Sequence, residues 1–135
     1  MQTLKSRVII DTNLWVSYLL TSNLSVLDSL ISDKKITLIF SLELLEELVE
    51  VTRRRKFRKY FSLNEVERLL LTIRKIATFV VVTSDVNVCR DPKDNFLLAL
   101  AIDAKATHLI TGDKDLLILE EYENTRILTL ADYLK

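Results

Sequence analysis

Short apolar runs alternate with longer amphipathic stretches from one end of the chain to the other. The runs at residues 7–10, 36–40, 78–83, 108–111 and 126–130 are rich in Val, Ile, Leu and Phe, and predict five strands. Residues 13–20 and 25–31 are expected to be helical, with Ser22 and Asn23 marking the break between them. A longer helix begins after Ser41, whose side chain can cap it, and runs through Glu43, Glu46, Glu47 and Glu50 into a basic block. Residues 63–76 predict another helix, capped by Ser62 or Asn64. An almost wholly apolar helix covers 96–102, a short one 116–119, and a last turn 131–135. Strands that are continuously apolar, rather than alternating, belong to a parallel sheet covered by helices on both faces. No stretch reads as a repeat or linker, so one α/β domain is expected over residues 1–135.

Composition narrows the class. A 135-residue domain buries roughly two-thirds of its unfolded surface, and 49% apolar with 28% charged residues excludes a disordered chain. Nineteen basic and nineteen acidic side chains balance, so attraction for a polyanion has to come from their distribution. Arg53, Arg54, Arg55, Lys56, Arg58 and Lys59 form one such basic block. Its plainer reading is a solvated helix end where the macrodipole favours cations. The single cysteine, Cys89, excludes an internal disulfide and a cysteine metal cluster. It reads more readily as a small buried filler than as a thiol beside a site. The N-terminus carries no secretory segment, and no apolar run approaches the ~20 residues that cross a bilayer. A cytoplasmic protein without membrane partners is the expectation.

The only glycine and the only proline each stand beside a pair of aspartates, in Thr111-Gly112-Asp113-Lys114-Asp115 and Asp91-Pro92-Lys93-Asp94. A third acidic signal, Asp11-Thr12-Asn13, ends the first apolar run. In open parallel sheets ligands bind beyond the carboxyl ends of the strands. Asp11, Asp94 and Asp113 all fall there, and converge if the first and fourth strands are neighbours. Helix phase offers a further acid: Glu43 and Glu50 face away from the apolar side, whereas Glu46 and Glu47 border it, and phase leaves both open.

Each acid also has a structural reading. Asp91 suits an N-cap with Pro92 at the first helical position, which makes Asp94 an acid favoured by the helix dipole. Asp113 or Asp115 can cap the segment at Leu116, and Asp11 or Asn13 the first helix. A convergent set nevertheless needs compensation, because two carboxylates ~4 Å apart repel by about 4 kcal/mol at an effective dielectric of 20. Oxygen donors of this kind suit Mg²⁺ or Mn²⁺. His108 lies in an apolar strand, as a core or surface residue, and zinc is not favoured.

With these motifs assembled, the chain resembles the PIN-domain family of metal-dependent ribonucleases along its whole length. It is most similar to the bacterial and archaeal members regarded as toxins of toxin–antitoxin pairs. The strings Arg90-Asp91-Pro92-Lys93-Asp94-Asn95 and Thr111-Gly112-Asp113-Lys114-Asp115-Leu116-Leu117 are the specific part of the resemblance. It implies a three-layer α/β/α fold whose five-stranded parallel sheet has the order 3-2-1-4-5. It further implies metal-binding, catalytic acids at Asp11, Glu47, Asp94 and Asp113, with Asp115 as an added ligand or cap, and Asn13 and Thr111 as supporting polar groups. Glu47 is preferred to Glu46 on the family pattern alone. The implied activity is endonucleolytic cleavage of RNA by metal-activated water, with one or two Mg²⁺ or Mn²⁺ ions. The basic block from Arg53 to Lys59 would hold the RNA backbone. A protein antitoxin and a second copy of the chain are the implied partners.

Three rival readings differ in class. Phosphatases with an aspartyl nucleophile need a second Asp where this chain has Asn13, and a receiver domain needs an acid pair that is missing here. A PIN-like module that binds RNA or protein without cutting is the remaining alternative.

Overall fold

A computed structural model of the chain describes residues 6–21, 29, 32 and 35–135. The chain runs through β1 (Ser6–Ile10), α1 (Thr12–Thr21), β2 (Ile36–Phe40), α2 (Leu42–Thr52) and a 3₁₀ turn (Arg55–Phe57). It continues through α3 (Leu63–Ile76), β3 (Thr78–Phe79), α4 (Pro92–Asp103), β4 (His108–Ile110) and α5 (Lys114–Leu117). It closes with β5 (Glu121–Tyr122), β6 (Thr125–Leu128) and α6 (Leu130–Tyr133). The helix expected at 25–31 falls outside the described residues except for Ser29.

The sheet has the order β3-β2-β1-β4-β6-β5, within a three-layer α/β fold. Five of its strands are parallel and follow the expected order, with β6 in the fifth place. The sixth, β5, was not foreseen. It pairs antiparallel with β6, Glu121 opposite Arg126 and Tyr122 opposite Thr125, and is too short to leave an apolar pattern. The decisive neighbours are β1 and β4, in register from Val8↔His108 to Ile10↔Ile110.

The third strand is much shorter than the expected 78–83. Pairing stops at Phe40↔Phe79, followed by one bond from Val80 N–H to the Phe40 carbonyl. The reason lies in the neighbour: β2 ends at Phe40 and turns at Ser41 into α2, so Val81 and Val82 have no ladder to join. The chain instead lies against α4. Asp103 accepts from the backbone N–H groups of Thr83 and Ser84, and from the Ser84 hydroxyl.

The core is made where helices cover these strands. Ile9, Ile39, Phe40, Leu109 and Ile110 of the sheet are fully buried, as are Leu44 and Leu48 of α2 and Leu98 and Leu100 of α4. Helix α4 is apolar all round its middle, and Leu97 to Ala101 are all buried, as such a helix requires. Its start is set by Asp91, whose carboxylate accepts from Lys93 N–H at 2.9 Å, with Pro92 opening the helix. The helix therefore begins at Pro92, earlier than the expected residue 96. Ser41 and Ser62 cap α2 and α3 through the backbone N–H groups of Leu44 and Glu65.

Candidate metal centre

Elements β1, α2, α4 and β4 deliver the acids to the carboxyl edge of the sheet. Asp11 follows β1, its N–H bonded to the Ile110 carbonyl at 3.0 Å, so its place is a direct consequence of the β1–β4 pairing. Thr111, fully buried just past β4, donates its hydroxyl to Asp11 Oδ2 at 2.8 Å and accepts from Asp113 N–H at 3.0 Å. Asn13 contributes its backbone N–H, 3.4 Å from Asp11 Oδ1, while its side chain is exposed.

Asp94, Asp113 and Asp115 each bring one carboxylate oxygen within 4.8 Å of the others. Neither Asp11 nor Glu47 joins that close group. Asp11 stands beside it through Thr111. Glu47 stands further along the edge, accepting from Thr12 Oγ1 at 3.4 Å and paired with Lys93 at 3.5 Å. Of the two border glutamates on α2, Glu47 is half-buried and faces this edge, whereas Glu46 is exposed and lines a groove of about 860 Å³ between α2 and α3. Asp113 is also the N-cap of α5, accepting from Asp115 N–H at 2.9 Å.

The electrostatics are those of crowded acids. Asp94 is only 4% exposed, and its Oδ2 has no hydrogen-bond partner among the described residues. Burial first, then the negative charge of Asp113 and proton sharing with it, raise its pKa to about 7; Asp91 and Asp11 add to the effect. Asp11 is raised as well, chiefly by burial, with the Thr111 hydroxyl acting in the opposite sense. An orphaned carboxylate oxygen inside an all-oxygen donor set fits a hard divalent cation.

Two basic side chains absent from the expected set are paired with these acids. One Arg90 terminal nitrogen reaches both Asp115 oxygens, at 3.3 and 3.2 Å, and Lys93 reaches Glu47. The expected RNA-binding cations lie elsewhere: Arg53 ends α2, and Arg54, Arg55, Lys56, Arg58 and Lys59 follow it, all exposed. Arg53 is six residues beyond Glu47, about 9 Å along the helix axis. Cys89 is half-buried, packed against the edge of the core rather than fully inside it. Its thiol pKa is raised by burial and then by Asp94 and the neighbouring aspartates, which places it at the rim of the acids. His108 is remote from them, edge-on to Tyr133 at 5.0 Å.

The PIN-domain family profile matches residues 7–115, spanning every one of these acids. The chain belongs to the PIN-domain family, whose members are in general metal-dependent nucleases. It is similar to the uncharacterized protein MJ1680 of Methanocaldococcus jannaschii, 34% identical over 125 residues, an overlap of 90% of this chain and 79% of that protein. No helix among the described residues is long and apolar enough to cross a membrane.

Proposed function

We propose that the chain is a divalent-metal-dependent endoribonuclease, folded as one domain over residues 1–135, and the toxin of a toxin–antitoxin pair. The observation that carries this reading is the buried Asp94 carboxylate beside Asp113 and Asp115, with its Oδ2 lacking a hydrogen-bond partner among the described residues, in a chain of this family. Asp11, Glu47, Asp94 and Asp113 would hold one or two Mg²⁺ or Mn²⁺ ions, with Asp115 as a further ligand. When bound, such a cation supplies charge neutralisation at the phosphoryl oxygens and lowers the pKa of a coordinated water.

The protein's own part is placement. Thr111 fixes the Asp11 carboxylate and the Asp113 backbone in a single contact chain. Asp94, in the first turn of α4, is buried away from bulk water. Its carboxyl, whose pKa burial and Asp113 raise in the absence of a cation, would give up its proton as a cation binds. The basic block would bind RNA phosphates without reading sequence. Exposed Leu42, Leu63 and Leu71 on α2 and α3 offer the apolar contact of a homodimer. Cytoplasmic RNA and a protein antitoxin complete the expected partners.

The test is incubation of the purified protein with a 5′-labelled structured RNA in Mn²⁺, Mg²⁺ or chelator, alongside Asp11→Asn. Metal-dependent cleavage that the substitution abolishes supports the reading. Intact RNA and metal binding without cleavage would favour the non-catalytic binding module.

A further inference from the structure

Three ion pairs occur among the described residues, and two of them join a candidate acid to a cation at the start of α4. Arg90 and Lys93 are otherwise open to solvent, their side chains 89% and 61% exposed. Most of their donors are thus free to meet a ligand arriving from outside.

Their backbone is not loose. Asn95 Oδ1 accepts from the N–H groups of Val88 and Cys89 at 3.1 and 2.8 Å, and its Nδ2 donates to the Cys89 carbonyl at 3.0 Å. Asp91 then caps α4. Arg90 lies between those two anchors, and Lys93 sits in the first turn beyond them. Long cationic side chains on a fixed base, at the lip of an acidic site, are arranged for a polyanion more than for stability. Exposed ion pairs are worth little by themselves.

We infer that Arg90 and Lys93 are phosphate-binding residues for the RNA substrate: Asp115 and Glu47 steady them at the lip of the acids, and their remaining donors take the RNA backbone. The second observation that makes this a ligand site is the buried, unpartnered Asp94 oxygen among the same acids. The inference rests on the ribonuclease reading above and names the substrate contacts of that same site.

Its test uses Arg90→Gln, Lys93→Gln and the double variant, with two binding measurements that need no turnover. Affinity for a 2′-O-methyl RNA oligonucleotide is titrated against KCl in Mg²⁺. Each substitution should lower the slope of log K against log salt by about 0.7, the single-strand value for one phosphate contact. Arg90→Lys and Lys93→Arg should restore it. Mn²⁺ affinity, measured by calorimetry without RNA, should rise by about two- to fivefold in the Gln variants, because a competing cation is gone. An unchanged slope in the double variant, or weakened Mn²⁺ binding, overturns the inference. Wild-type cleavage of RNA beside an unchanged slope would overturn it alone, whereas a wild type that neither binds nor cuts RNA would remove the ribonuclease reading too.

Discussion

Thr111 and Asp11 are 100 residues apart in the chain and share a 2.8 Å hydrogen bond at the mouth of the sheet. The bond exists because β1 and β4 are parallel neighbours in register to their last residues, Ile10 and Ile110. The first residue past each strand then faces the other. Thr111→Val keeps the shape and removes the hydroxyl, leaving Asp11 Oδ2 without its donor and Asp113 N–H without its acceptor. Denaturant unfolding at pH 8 should show a loss of about 1–3 kcal/mol, and Thr111→Ser should recover most of it. The Asp11 pKa should rise further in the Val variant, weakening Mn²⁺ binding near neutral pH.

Asp94 predicts an unusual pH dependence for the metal-free protein. Its pKa is raised from 3.8 to about 7, so the folded state holds a proton that the unfolded state releases. Stability linked to that proton is fully present below about 4 and is lost as pH rises through about 7. Thermal melts in chelator should therefore show a falling Tm across this window, and saturating Mg²⁺ should reverse the fall at its upper end. Asp94→Asn should stabilise the metal-free protein by about 1–3 kcal/mol at pH 8 and abolish the response to Mg²⁺. A flat Tm between pH 4 and 8 in wild type would contradict the crowded-acid account.

Local signals carried the fold far. The β2 span at 36–40, the α3 span at 63–76, the cap at Ser41, and Asp91 followed by Pro92 were all legible, because each depends on nearby residues, whereas the α3 cap lay open between Ser62 and Asn64 until the structure gave Ser62. The failures had non-local causes. Val81 and Val82 have every intrinsic preference for a strand, but lack a partner because β2 ends at Phe40. Arg90 and Lys93 were visible as charges, yet their pairing with Asp115 and Glu47 depends on how α4 docks against α2 and α5. Phase left Glu46 and Glu47 open, and only packing turns Glu47 towards Thr12 and Lys93.

Glycine placement is the clearest mismatch between local preference and structure, and it is testable. Gly112 has no positive φ, and a Cβ built there would meet nothing within 4 Å. Lys105, by contrast, takes φ 52° at the end of α4, where Ala106 N–H bonds Ala101 O at 2.9 Å and Lys105 N–H bonds Ile102 O at 3.1 Å. That is the Schellman arrangement, with lysine at the position glycine favours. Lys105→Gly should stabilise by about 0.5–1 kcal/mol. Gly112→Ala should stabilise by about 0.4–1 kcal/mol by restricting the unfolded chain. Both are read as shifts of the urea midpoint at constant slope.

Asp103 and Asn95 hold the two ends of the crossover between β3 and α4, and their loss should separate stability from site geometry. Asp103 accepts from Thr83 and Ser84, and these bonds, led by the Ser84 hydroxyl, lower its pKa. A lowered carboxylate pKa stabilises above the unfolded value near 4, and that stability is lost as pH falls through the folded value. Asp103→Ala should cost about 1–3 kcal/mol at pH 7, with the difference from wild type shrinking in acid. Mn²⁺ affinity should be unchanged, because Asn95 still anchors Cys89 next to Arg90 and Asp91. Asn95→Ala should do the reverse, disturbing RNA and metal binding out of proportion to its stability loss. Equal effects of the two variants on Mn²⁺ affinity would show that the crossover moves as one unit.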